Sequence, residues 1–182
     1  QARAKTAASA NIDAYQVALG DTSGTAMLHS SVYNRADNRL SPSHTEPHVE
    51  VCEVEVRTLD AFLSARGTPA VDALKIDVQG NEAHVLRGAR KTLAAGVQWI
   101  WVEFSPDHLR GAGSDPERFL ESLGELGMDL FEVNDRGGFE SVTNYREHTR
   151  KTGSSYGDLV LMSKETACRL SRTAETPAGG TR

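Results

Sequence analysis

Between Ala70 and Val133 the chain alternates two hydrophobic periods with little in between. The stretches "AVDALKIDV", "VQWIWVEF" and "MDLFEV" read as strands, and "NEAHVLRGARKTLAAG" and "DPERFLESLGELG", which separate them, have helical spacing. Strands joined by helices of this length do not pair as hairpins. The crossover brings the chain back to its starting edge, so the strands run side by side in βα units around a parallel sheet. An α/β fold follows, and in an open sheet of that kind ligands bind beyond the carboxyl ends of the strands.

The flanking segments are less rhythmic. "AKTAASAN" reads as the end of a helix, and a strand is expected around Tyr15 to Leu19, closed by a turn at Gly20 and Asp21. "TAMLHS" gives a second short strand, and Ser31 to Pro47 is polar and punctuated, a long loop of the sort that often carries function. "HVEVCEVEV" reads as a strand, and "LDAFLSARG" as a helix stopped at Gly67. A polar crossing from Asn134 to Gly157 leads to a last strand, "GDLVLMSK". The domain is expected over residues 1–165, with a disordered tail over 166–182.

With 182 residues, 38% of them hydrophobic, the chain suits one soluble domain with a single core. A formal charge of −5 leaves no cationic surplus for phosphates, and 6% aromatic content gives few stacking platforms, which argues against a nucleic-acid partner. Cys52 and Cys168 lie too far apart in sequence for a CxxC site, and two cysteines make no disulfide framework. No apolar run is long enough to span a membrane, and the first residues lack the apolar centre of a signal peptide. A cytoplasmic protein without a membrane partner is the expectation. The chain begins at Gln1, and its first methionine, Met27, already lies within a patterned segment, so the amino terminus reads as cut.

The ligand-binding end of the sheet carries the chemistry. Asp77, Glu82, Glu103 and the pair Asn134–Asp135 fall at or just past strand ends. If the strands of Asp77 and Glu103 are neighbours, their carboxylates share one small volume. There they would either raise one pKa for proton transfer or jointly hold a divalent cation. The structural alternatives are an ion pair of Lys75 with Asp77 or Glu103, and Glu82 placed at a helix N-terminus with Asn81 as its cap. "GAGSDP" lacks a third glycine and reads as a helix approach. His44 and His48 are separated by Pro47, which argues against metal ligation from one helix turn, and no metal site is assigned. His29, His84, His108 and His148 are isolated and expected at the surface, and no GxSxG elbow is present.

"VDALKIDVQGNEAHVLRGARKTL" resembles the hallmark of the FkbM-type methyltransferases, in which Lys-Ile-Asp-Val is followed by Glu or Gln, Gly, a small residue, Glu, and later Leu-x-Gly-Ala. "ALGDTSGTAML", "VEVRTLDAFL", "WIWVEFSPDHL", "ELGMDLFEVNDRGG" and "GDLVLMSK" extend the resemblance in order over most of Asn11 to Lys164. The resemblance implies a Rossmann-like class I methyltransferase sheet of seven strands. The activity implied is S-adenosylmethionine-dependent methyl transfer to a hydroxyl of a saccharide or secondary metabolite. Asp77 would then lie on a central strand, the fourth, and Glu103 would end the fifth. Asp77 would orient or deprotonate the acceptor or bind a metal that does so, with Glu82 and Glu103 as further catalytic candidates. Asp21 would contact the adenine. The family's glycine-rich loop and the ribose-binding acid have no counterpart, so the fold is expected to be N-terminally truncated by about two strand–helix units of roughly 30 residues each. Weak cofactor binding by this chain alone is the corollary. Two alternatives remain at this level, a non-catalytic module of the same fold and a carboxylate-dependent metal hydrolase using Asp77, Glu82 and Glu103.

Overall fold

The computed structural model describes residues 3–4, 12–31, 38–41, 48–67 and 70–174. Most of the expected helix end before Ile12, much of the Ser31–Pro47 loop and the last eight residues lie outside that set.

Arg3–Ala4 (β1) and Ala14–Tyr15 (β2) form a short antiparallel pair. Ala18–Leu19 (β3) runs parallel to His48–Arg57 (β5), which pairs on its other side, antiparallel, with Gly24–Ser31 (β4). The single strand expected over Tyr15 to Leu19 is therefore two. Val17 N–H bonds back to Tyr15 C=O at 3.1 Å, and the chain changes partner from β1 to β5 across that bend.

The first helix, Leu59–Ser64 (α1), starts on Thr58, whose hydroxyl accepts from Ala61 N at 3.1 Å. Ala73–Ile76 (β6) then leads to Glu82–Arg87 (α2) and Arg90–Ala94 (α3). One continuous helix was the expectation over 81–96, but it breaks at Gly88–Ala89. At that point the backbone is pressed against the Gly20 carbonyl so closely that a Cβ on Gly88 would overlap it. Asp60 of α1 caps α3 from outside. Its carboxylate accepts from Lys91 N and Thr92 N, both at 2.9 Å, and from the Thr92 hydroxyl at 2.7 Å. Burial pushes the Asp60 carboxyl up, but these hydrogen bonds outweigh it and hold it below the usual carboxylate value. Asp60→Ala should therefore lower stability by about 1 kcal/mol at neutral pH, the typical value of a helix cap. The folded-state pKa is the lower one, so this contribution is present above the unfolded pKa and lost as pH falls through the folded value. Thermal melts of both proteins should converge in strong acid.

Trp99–Phe104 (β7) is followed by Pro106–Gly111 (α4), Pro116–Gly124 (α5) and Asp129–Val133 (β8). Phe139–Ser141 (β9), Tyr145–Thr152 (α6), Gly157–Met162 (β10) and Lys164–Ala174 (α7) complete the chain. The crossing from Asn134 to Gly157 thus contains a strand and a helix, and the expected tail is helical as far as Ala174. In α6 polar residues predominate, yet His148 and Thr149 are buried, so its sequence carries little apolar period to read.

These strands make a five-stranded sheet in the order β6-β7-β10-β8-β9. β6 and β7 are parallel, with Ile76 opposite Val102, as the βα rhythm requires. The sheet as a whole is mixed, because β10 enters antiparallel between β7 and β8 and β9 folds back on β8. β6 is an edge strand among the described residues, where a central one was expected. On one face Ile76, Ile100, Val102, Phe104, Leu159 and Leu161 meet Leu109 of α4 and Phe119, Leu120 and Leu123 of α5 in a single core. The alternation places Trp101 and Glu103 on the other face of β7. Among the described residues, no helix is long and apolar enough to cross a membrane.

Candidate active site

β6 stops at Ile76, and the chain makes a tight turn before α2. Gln79 has φ 53°, the left-handed region that disfavours side chains, and Gly80 has φ 105°. Gly80 is held against α4, where a Cβ would run into the His108 carbonyl oxygen. Glu82 holds the turn from beneath, its Oε1 accepting from Val78 N at 3.2 Å and Gly80 N at 3.0 Å. Burial raises the Glu82 pKa, since the side chain is 2% exposed, and the backbone donors act against that rise. Asn81, expected as the helix cap, makes no capping bond and donates instead to the Leu19 carbonyl at 3.0 Å, tying the turn to β3.

Above the turn the two remaining acids meet. Gln79 Nε2 donates to Asp77 Oδ1 at 3.0 Å and to Glu103 Oε2 at 3.1 Å, and Lys75 Nζ lies 3.1 Å from Asp77 Oδ2. The side chains of Lys75 and Asp77 are 67% and 41% exposed, so neither charge is buried. Neither group therefore carries a large desolvation cost, and their pair is a surface one. Glu103 is the perturbed acid. Partial burial, followed by the negative charges of Asp77, Glu82 and Asp158, pushes its pKa up to about 7, against the pull of Arg39. Asp158 sits opposite Glu103 on β10 and is fixed by Trp101 Nε1, which donates to it at 2.8 Å. Arg39 donates to His108 Nε2 at 3.1 Å.

Asp21 lies apart from this cluster, beside a cavity of about 240 Å³ lined also by Thr25, Leu40, Val56, Asn81 and His84. Its Oδ2 accepts from Arg87 Nε at 3.2 Å and Nη2 at 3.1 Å. Burial raises the Asp21 pKa, but Arg87 and His84 bring the net shift below the usual value. His84 has its pKa lowered by burial and then by Arg87, with Asp21 opposing. Its Nδ1 is buried and meets no hydrogen-bond partner among the described residues. The volume is below the roughly 300 Å³ at which pockets for whole small molecules begin, so the cavity would take only part of a larger ligand.

Glu82, Asp77 and Glu103 are thus brought together, and Asp21 is placed in a neighbouring pocket. Gln79, Arg87 and His84 are additions. The surface expectation fails for His84, for part-buried His108 and for His148, which is 8% exposed and packs on Phe104 at 5.4 Å. Burial lowers the His148 pKa, against the pull of Glu132. A larger cavity, about 1040 Å³, lies elsewhere, between α2–α3 and α5 near the start of β7. Among the described residues, no group of three or more His, Cys, Asp or Glu side chains is disposed to hold a metal ion.

The sequence profile of the methyltransferase FkbM domain matches residues 1–136. The 2-O-methyltransferase NoeI of Sinorhizobium fredii (strain NBRC 101917 / NGR234) is 30% identical over 108 residues, which cover 52% of this chain and 44% of that protein. The matched segment therefore spans less than half the length of that relative. No solved structure gives a significant match.

Proposed function

As the chain belongs to the methyltransferase FkbM family, we propose that the Asp77–Glu103 edge is the acceptor side of an S-adenosylmethionine-dependent O-methyl transfer, with Glu103 as the general base. The observation that carries this reading is a carboxyl group held near neutrality, at about 7, at the carboxyl end of a strand that runs parallel to its neighbour. When bound, the cofactor would supply an electrophilic methyl group and keep the electron pair of the broken carbon–sulfur bond as a neutral thioether. Glu103, with Oε2 occupied by Gln79, takes the hydroxyl proton on Oε1 as the acceptor oxygen forms its bond to carbon. Asp77, steadied by Lys75, orients the hydroxyl. Glu82 sets the shape of the turn through the backbone of Val78 and Gly80. Asp21, Asn81 and His84 would receive the adenine end. An oxygen acceptor is in keeping with the name of the relative, a 2-O-methyltransferase, and a saccharide or secondary-metabolite hydroxyl is the substrate class that the family resemblance suggests.

The test is the pH–rate profile of the whole protein. Its rate should rise along a limb centred near pH 7, where Glu103 loses its proton. Asp77→Asn removes a negative charge from beside Glu103 and should move that limb to lower pH while slowing transfer. Its thermal stability should change by no more than about 1 kcal/mol, because the Lys75–Asp77 pair is exposed. A profile with no limb between pH 6 and 8, unaltered by Asp77→Asn, would overturn the assignment of the base.

A further inference from the structure

Gln79 is the one non-glycine residue among those described that adopts a positive φ. Glycine would occupy that conformation without steric cost, and the next residue, Gly80, does. A glutamine kept there must return something through its side chain. What the side chain does is specific. A primary amide nitrogen has two N–H donors, and both are spent, one on Asp77 at the end of β6 and one on Glu103 of β7. The backbone beneath has little freedom, with Gly80 wedged on the His108 carbonyl and the Glu82 carboxylate bonded on both sides of Gln79.

We propose that Gln79 is the positioning residue of this site, a strained clamp that uses its two amide hydrogens to hold Asp77 and Glu103 in one volume and to leave Glu103 Oε1 directed at the acceptor. The inference rests on the reading of Glu103 as the base. Two carboxylates side by side repel, and donors shared between them favour the ionised form of each. The charged groups that act on Glu103 include Asp77, Glu82 and Asp158, which raise its pKa, and Arg39, which lowers it, while Lys75 pairs with Asp77. Among these, Gln79 is the neutral donor that makes ionised Glu103 tolerable. The lone pairs of its carbonyl oxygen are not used by the clamp, so a carboxylate at this position would reverse the interaction from donation to repulsion.

The variants Gln79→Gly and Gln79→Glu separate clamp from scaffold. Gln79→Gly relieves the positive φ, so its melting temperature should hold or rise by about 2 °C or more. Its methyl-transfer rate should nevertheless fall about tenfold or more, in the range that misplacing a reacting group costs, with the KM for S-adenosylmethionine unchanged. In the isolated chain, followed by carboxyl-carbon NMR, the Glu103 midpoint should move upward by about one pH unit in Gln79→Gly and further in Gln79→Glu. A lower melting temperature for Gln79→Gly, or a Glu103 midpoint that does not move, overturns the clamp. Failure of the base assignment itself reads out differently, as full activity in Glu103→Gln, and the NMR midpoints judge the clamp regardless of that result.

Discussion

Glu103→Gln should lower the rate of methyl transfer by about 10² to 10⁴, the usual range for a general-base term, and should remove the limb of the pH profile near 7. The variant keeps the size of the side chain and an oxygen that can still accept from Gln79 Nε2, so the geometry of the clamp survives while the proton acceptor is lost. Its stability should change in the opposite sense. The folded protein keeps the Glu103 proton to about pH 7, whereas the unfolded chain releases it near 4.5, so between those values the native state binds more protons and stability falls as pH rises. Above pH 7 the wild type carries an ionised group in a partly desolvated, acidic neighbourhood, which the amide does not. The variant should therefore melt higher than wild type at pH 8, by about 2 to 4 °C, the size that a solvent-discounted 1 kcal/mol gives in a chain of this length. The two should agree at pH 4. A variant that is slower but gains no stability at alkaline pH would mean that Glu103 titrates normally.

The second large effect is structural. Gly80→Ala should destabilise by about 2 to 6 kcal/mol, combining about 1 to 3 for a side chain in an unfavourable backbone region with about 1 to 3 for overpacking. The added methyl group would meet backbone, the His108 carbonyl, rather than the yielding tip of a side chain. Chemical denaturation would give the loss directly, as a lower midpoint with an unchanged slope. Gly113→Ala makes the comparison, since Gly113 also has a positive φ, of 77°, but a Cβ there meets open space. Its loss should be confined to the strain component. Equal losses in the two variants would show that α4 does not press on the turn.

The strands that carry the site were readable because each alternates or runs apolar over its length, and "ALKI" and "WIWVEF" lie where their patterns placed them. Asp77 and Glu103 could be brought together on paper because parallel neighbours in a βα sheet end at the same level. Which of the two is perturbed was not readable. That depends on exposure, and the face of β6 that carries Lys75 and Asp77 is open whereas Glu103 is half-covered and ringed by Asp77, Glu82 and Asp158. Nor does any local pattern say that Gln79 would take a left-handed φ or that Glu82 would fold under its own turn. Both outcomes follow from α4 packing against Gly80, a contact between segments far apart in the chain. The polar composition of "YREHTRKT" hid α6, whose burial rests on His148 and Thr149.

The placement of β10 bears on how the molecule assembles. β7 and β8 run the same way yet do not touch; β7 pairs with β6 and β8 with β9, and the strand that joins the two halves, β10, is made after both β7 and β8. Until the ribosome has delivered the chain through Met162, β7 has one free edge and β8 has none of its central pairing. The order of synthesis therefore differs from the order of pairing, and closure of the sheet is a late, long-range event that should set the folding rate. A chain ending before Gly157 would expose two apolar strand edges at once, a state suited to association with other chains rather than to partial function.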